Sequence, residues 1–546
     1  MSLRPQTPPP IPPDTVRIAR AAFPKGNPYM QMRDIFGTIY LDTDFADPFP
    51  LVGQPAAAPW RLILVLIMQF AENLTDRQAA DAVRGRLDWK YALSMELDDP
   101  GFDFSVLSEF RARLVTGKAS ARVVELLLTQ FKQRGLLTAR GKQRTDSTHI
   151  LGAICTLNRL ELVGRTLQHV LEALAKHAPT WLRAQVSPAW FERYRAPLSE
   201  YRLPKGTAER TALAETIGRD GHTLLEQLRQ PAAPADLRGL PAVIALQQIW
   251  EQQYTHRDGQ LRWRETAEQP PPSERIVSPI DLEARWSTKR SVDWRGYKVQ
   301  LTETCDDGGP HLITDVITTL AGKHESDALP DIHQHLESRG ILPAMHLVDT
   351  AYASGETLTE SQTSYGVDLM CPIPPNSSWQ ARDPEAYDTT HFQIDWADQQ
   401  VTCPEGHQTR YWKPVRTASG RPAIQVRFHR EDCSACPVRA RCTRNAVGRE
   451  LILHPEAEHR ALEAGRQRQE TSAFKETYAR RAGIEGTIAE SVQGHAMRQA
   501  RYLGLEKTAL QHVLTVSAIN IHRAINWMND VPRATTRRSH FAALAA

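Results

Sequence analysis

Two carboxylates stand where apolar strands begin or end. Asp146 lies in KQRTDSTHILGAI (142–154), just ahead of Ile150, Leu151, Ala153 and Ile154. Asp349 lies in HLVDTAYAS (346–354), where an apolar run gives way to small and polar residues. A carboxylate at such a place is costly unless it is paired, hydrogen-bonded or holding a metal. Strands set side by side would bring both acids to one divalent cation, which removes their mutual repulsion. For Asp349 alone, a cap or turn former is the competing reading. A third acid, Glu485, follows in ETYARRAGIEGTIAESVQG (476–494). Tyr478, Arg481 and Glu485 stand at i, i+3 and i+7, on one face of a helix. The plainer alternative is a surface ion pair between Arg481 and Glu485. Glu490 is a rival third acid without the Tyr and Arg spacing, and His149 and His324 read as ordinary polar residues.

Four of the seven cysteines form a second constellation, Cys403-x29-Cys433-x2-Cys436-x5-Cys442, on turn-rich text. Cys155, Cys305 and Cys371 are scattered and read as buried thiols. In a chain whose first residues, MSLRPQTPPPIPPDT, carry no apolar export signal, clustered cysteines point to metal before disulfides. Four soft ligands suit a structural Zn²⁺. His407 in place of one Cys, or plain reduced thiols, are the alternatives.

The elements that must position these groups can be laid out along the chain. Residues 1–50 are rich in proline and predict an irregular or disordered lead-in. Residues 51–138 predict an all-α N-terminal domain, with WRLILVLIMQFA (60–71) as a buried helix. Thr75–Asp76 and Ser105 are helix starts there. The short helices suit either a DNA-reading helix-turn-helix or a plain bundle. A strand is expected over 143–155. A helical insertion follows over 156–278, with leucines at 157, 160, 167, 171 and 174 on one face. Period-two alternation then predicts a hairpin, 294–304 with 311–321, and short strands at 344–352 and 366–373 with helices between. Together 139–155 and 279–374 read as an α/β core with a mixed sheet. Residues 375–455 hold the cysteines, 456–530 are helical, and 531–546 form a basic tail.

At 546 residues the chain suits three or four domains, and 41% apolar with 24% charged residues is ordinary for a soluble globular protein. A net charge of +3 implies no partner by itself. From Thr471 onward, however, ten Lys or Arg face five Asp or Glu, which suits either a phosphate-rich partner or a solvated helix face. Arg498 and Lys507 are the candidate DNA contacts in that segment. No apolar run approaches the roughly 20 residues needed to cross a bilayer, so no membrane role is expected.

RTDSTHI, HLVDTAY and YARRAGIE together resemble the three catalytic blocks of bacterial insertion-sequence transposases of the DDE class. Tyr478, Arg481 and Glu485 fit that family's Y-(2)-R-(3)-E-(6)-K signature, although Val492 stands in place of its lysine. Residues 60–93 and 103–114, SPIDLEARWSTKRSVDWRGYKVQLTETCD (278–306) and RYLGLEKTALQHVLTVSAINIHRAINW (501–527) are similar to further blocks of its insertion-sequence 1182 group. The resemblance implies a ribonuclease-H-like core. In it Asp146, Asp349 and Glu485 would hold two Mg²⁺ or Mn²⁺ ions, and Tyr478 and Arg481 would contact transposon-end DNA. It further implies end cleavage and strand transfer on double-stranded DNA, a homodimer on paired ends, and a bacterial cytoplasmic, nucleoid-associated location. Related transposases carry a similar Cys-rich insertion ahead of the Glu helix. A catalytically inactive relative, or a zinc-stabilised nuclease without strand transfer, would share these residues.

Overall fold

The structure is a computed structural model. It describes residues 2–533 except Arg290 and Arg410, together with Phe541 and Leu544. Most of the expected basic tail therefore lies outside the described residues.

A six-stranded mixed sheet is the frame. Its strands are β1 (Lys142–Leu151), β2 (Arg285–Lys289), β3 (Val292–Thr304), β4 (Ile313–Leu320), β5 (Met345–Leu347) and β6 (Asp368–Met370). The order is β2-β3-β1-β5-β6, with β4 also paired to β3. β1 runs antiparallel to β3 and parallel to β5, and β5 runs parallel to β6. The predicted hairpin is β3–β4, antiparallel with a register shift between Thr302 and Glu303. The strand expected over 143–155 stops at Leu151. There Gly152 donates its N–H to the Arg295 carbonyl and passes so close to Gly296 that a side chain at 296 would strike the Ile150 carbonyl. Gly296 also has φ +146°, a conformation that L side chains rarely adopt.

One hydrophobic core joins the sheet to both ends of the chain. The helix Pro59–Ala71 is buried at every residue from Leu62 to Phe70. It packs against the C-terminal helix Leu505–Met528, and both belong to one cluster with Tyr297, Val299, Leu301 and Ile313 of the sheet. Asn520 on that helix completes the edge of β4, accepting the Ile313 N–H at 2.8 Å and donating to the Ile313 carbonyl at 2.7 Å. Most buried residues of the N-terminal helices thus belong to this common core, with a small separate cluster at Ala19, Met30 and Tyr91.

The expected irregular lead-in is corrected. Residues 1–50 hold the helices Pro13–Ala22 and Pro28–Phe36, and Met32, Phe36, Tyr40 and Phe45 are buried in the common core. Two of the prolines that suggested disorder, Pro13 and Pro28, stand at first helical positions, where a missing N–H costs nothing and the fixed φ is helical. Asn27 caps the second helix by accepting the Tyr29 N–H at 2.9 Å.

Two further units carry their own cores. Residues 159–263 form a helical layer around Val163, Leu167, Ile217, Leu246 and Trp250, closed by a small hairpin (Tyr254–Arg257 with Gln260–Trp263). The Cys-rich segment forms a three-stranded sheet (Tyr411–Arg416, Pro422–Arg427, Glu450–Leu453) over Phe392, Val426, Phe428 and Leu451. Among the described residues no helix is long and apolar enough to cross a membrane.

Candidate active site

Strand register brings the first two acids together. β1 and β5 are parallel neighbours with Arg144 opposite Leu347. Two residues further along each chain stand Asp146 and Asp349. Asp349 follows the end of β5 and caps the single turn Thr350–Tyr352, its carboxylate accepting the Ala351 N–H. The cap reading of Asp349 therefore holds together with its place beside Asp146.

The third acid arrives on a continuous helical run: Ser472–Tyr478, a tighter 3₁₀ turn Ala479–Ala482, then Gly483–Ala489. This run is fixed to the sheet through Glu303, a fully buried carboxylate on β3 at 0% exposure. Glu303 receives Arg144 of β1 at 2.6–2.8 Å, Arg523 of the C-terminal helix at 2.8 Å and the Thr487 hydroxyl of the acid-bearing helix at 2.6 Å. Arg144 also donates to the Arg480 carbonyl. Gly483 lies at this crossing, where a Cβ would overlap the Arg144 guanidinium and force it to shift. Burial works against the charge of Arg523, but Glu303 and Glu490 beside it hold its pKa above the ordinary value.

The three acids meet on one guanidinium. One terminal nitrogen of Arg481 lies 2.7 Å from Asp146 and 3.6 Å from Asp349, and the other lies 3.8 Å from Glu485. The Arg481–Glu485 ion pair is thus present, as one arm of a larger cluster. Asp146 and Arg481 side chains are each 14% exposed, Asp349 is 33% exposed, and Glu485 is 70% exposed on the open side. Asp146 would stand underpaired if a metal were its only partner, but it accepts the Ser147 N–H and Arg481. Burial still lifts its pKa above the ordinary value, assisted by Asp349 and opposed by Arg481, the Ser147 N–H and Lys289.

The remaining candidates divide. Tyr478 stacks on Phe474 with ring centroids 5.3 Å apart and donates to the Val348 carbonyl at 3.2 Å, one residue from Asp349. Burial pushes its pKa up to about 12. Glu490 is held by Arg523 at 2.5 Å, in the structural network. Arg498 donates to the carbonyl and ring of His149 at the end of β1, and Lys507 is exposed on the first turn of the C-terminal helix. His324 caps the turn Glu325–Ala328. Arg144, Glu303 and Arg523 are the residues that sequence reasoning missed. Arg144 and Glu303 face each other across β1 and β3, strands far apart in the sequence, so no local pattern marked them. Glu325 was missed too; it accepts the Ser147 hydroxyl at 3.1 Å and pairs with Lys298 at 3.2 Å.

Cys403, Cys433, Cys436 and Cys442 line one cavity of about 30 Å³ with Phe392, Phe428 and His407, a volume that suits about one small ion or water. All four are free thiols. Burial raises the Cys442 pKa to about 11, with Arg449 pulling it down. Among the described residues, however, no three His, Cys, Asp or Glu side chains close into a metal-holding group, here or at the acids. The donor types fit the expected ions: oxygens around a site that already holds a cationic guanidinium, and sulfurs around a small apolar cavity.

Comparison with known families bears on both places. Residues 402–525 match the family model described as transposase DDE domain, a span that includes Tyr478, Arg481 and Glu485. Residues 17–113 match the model described as transposase domain (DUF772), which covers most of the N-terminal helices. No curated protein matches the chain. The two matches indicate a transposase and support one of the insertion-sequence kind.

Two outcomes follow from this electrostatic arrangement. Glu303→Gln leaves Arg144 and Arg523 without their shared counter-charge, and should lower unfolding stability by about 3 kcal/mol in denaturant titration. Asp146→Asn should instead raise the thermal midpoint of the ion-free protein at pH 7. A carboxyl whose folded pKa lies above its unfolded one costs stability once ionised. The gain should therefore vanish below about pH 4, where the carboxyl is protonated in both states.

Proposed function

We propose that this protein is a DDE transposase of an insertion sequence, nearest the insertion-sequence 1182 group, which cleaves transposon ends and joins them to target DNA. The observation that carries the reading is the convergence of Asp146, Asp349 and Glu485 on Arg481 from three separate parts of the chain. The strand order supports a ribonuclease-H-like core, with antiparallel strands followed by two parallel ones, Asp146 on β1 and Asp349 just past the end of the adjacent β5.

In this reading Asp146, Asp349 and Glu485 hold two Mg²⁺ or Mn²⁺ ions, which when bound supply charge neutralisation and activation of an attacking hydroxyl or water for in-line phosphoryl transfer. The chain's own residues fix the geometry. Asp146 and Asp349 are set by strand register, and Glu485 by the helix that Glu303 and Thr487 anchor. Arg481 and Tyr478 lie beside the acids, where end DNA must pass, and Arg498 and Lys507 extend the phosphate contacts. The 51–138 helices and the basic hairpin of the Cys-rich lobe, with Lys413 and Arg416 on a strand and Arg421 in its turn, are further DNA-facing regions. The lobe is held by a structural Zn²⁺ on Cys403, Cys433, Cys436 and Cys442, and the protein acts as a homodimer on paired ends, in the bacterial cytoplasm at the nucleoid.

An assay with paired end sequences and a target plasmid tests the reaction. The wild-type protein should cut the ends and join them, whereas cutting without joining would mark a nuclease. Asp146→Ala, Asp349→Ala and Glu485→Ala should each reduce cleavage below detection while DNA binding by gel shift persists. Full cleavage by any one of them would remove that residue from the site. The lobe is tested separately. Metal analysis of the purified protein should find about one zinc per chain, and Cys436→Ser should lose it and make the lobe sensitive to protease.

A further inference from the structure

We propose that Arg481 is the resident counter-cation of the acid cluster, and that divalent ions must displace it from Asp146 and Asp349, so that ion binding releases the guanidinium toward the DNA backbone. The inference rests on the metal-dependent reading above and adds a competition that the reading does not contain.

The geometry of the contact carries it. Several arginines that tie elements of this protein together engage carboxylates with more than one nitrogen, although Arg339 holds the buried Asp315 through one. Arg144 brings Nε and a terminal nitrogen to Glu303 at 2.8 and 2.6 Å, and Arg468 places both terminal nitrogens on Asp368 at 2.6 and 2.7 Å. Arg481 does neither. It reaches Asp146 and Asp349 through a single terminal nitrogen and Glu485 only at 3.8 Å, and its buried Nε has no hydrogen-bond partner. Bidentate pairing is the strong arrangement, and a spread monodentate contact gives way more readily to a competing cation. A divalent ion bound by the same oxygens would sit within a few ångströms of the guanidinium, where like charges repel strongly.

The backbone allows the exchange. Arg481 stands in the 3₁₀ turn Ala479–Ala482, between two helical segments. The segment after it is fixed by Thr487 on Glu303, and the segment before it by Phe474 and Tyr478 against the sheet. The long side chain can therefore swing toward the open side, where Glu485 stands, without moving either anchor. Ion binding and a phosphate contact by Arg481 then favour one another, each removing the guanidinium from its resting place.

Mn²⁺ binding to the full-length protein without DNA, followed by electron paramagnetic resonance of the free ion, tests this. Arg481→Gln should bind Mn²⁺ at least about fivefold tighter than the wild type, the low end of ordinary coupling between sites. Arg481→Lys, which keeps the charge, should stay near the wild type, and Asp146→Asn should lose the site. Arg481→Met serves as the uncharged variant if the Gln variant does not melt cooperatively. Equal or weaker binding by the uncharged variants, with binding still lost in Asp146→Asn, overturns the counter-cation role and leaves the metal site standing. Binding that survives in Asp146→Asn overturns the metal site and this inference with it.

Discussion

A single buried carboxylate organises this molecule. Glu303 has no access to solvent, so its carboxyl oxygens must be met by partners within the protein, and those partners come from β1, the C-terminal helix and the acid-bearing helix. With Glu490 added, two arginines face two acids and the cluster is electrically balanced. Removing one member of such a set strands a charge in low dielectric, which makes the arrangement close to all-or-none. The arrangement of Asp146, Asp349 and Glu485 depends on it, because Arg144 stands two residues before Asp146 and the helix of Glu485 lies across the Arg144 guanidinium.

The hydrophobic core imposes the same unity on a larger scale. The C-terminal helix is buried on nearly all sides between the sheet and the N-terminal helices, so the first and last parts of the chain close over one another. The DUF772 match covers the first of these parts, and the DDE-domain match ends in the second. The helical layer 159–263 and the Cys-rich lobe behave differently. Each has its own core, and each is inserted between acids that are neighbours in space. The sheet tolerates them because loop closure costs grow only slowly with length once the flanking strands are paired.

Resting electrostatics and the proposed reaction pull in opposite directions at the acids. Three carboxylates in one place favour binding of cations but are poorly tolerated without them. Arg481 resolves this in the ion-free state by lending one charge to all three acids, and its monodentate reach keeps the arrangement reversible. The structural arginines around Glu303 are bound more tightly, so the scaffold stays closed while the site can change partners.

Much of this was legible in the residues themselves. Alternation marked β3 and β4, an all-apolar run marked the buried helix Pro59–Ala71, and spacing put Tyr478, Arg481 and Glu485 on one face, because these signals are local and backbone geometry is periodic. Asp146 and Asp349 were conspicuous as charges in apolar text. The lead-in was misread because proline breaks a helix interior but starts a helix well, and only packing against the core distinguishes the two. Contacts between distant segments were not local. That β1 lies beside β5, that Glu490 serves Arg523 while Glu485 faces Arg481, and that Glu303 ties them together depend on strand register and on which side chains are buried together. Sequence alone determined which residues carry charge, metal-binding atoms and helix-forming faces. Tertiary structure decided which of those charges are partners, because pairing is set by distance and burial, and neither exists until the chain has folded.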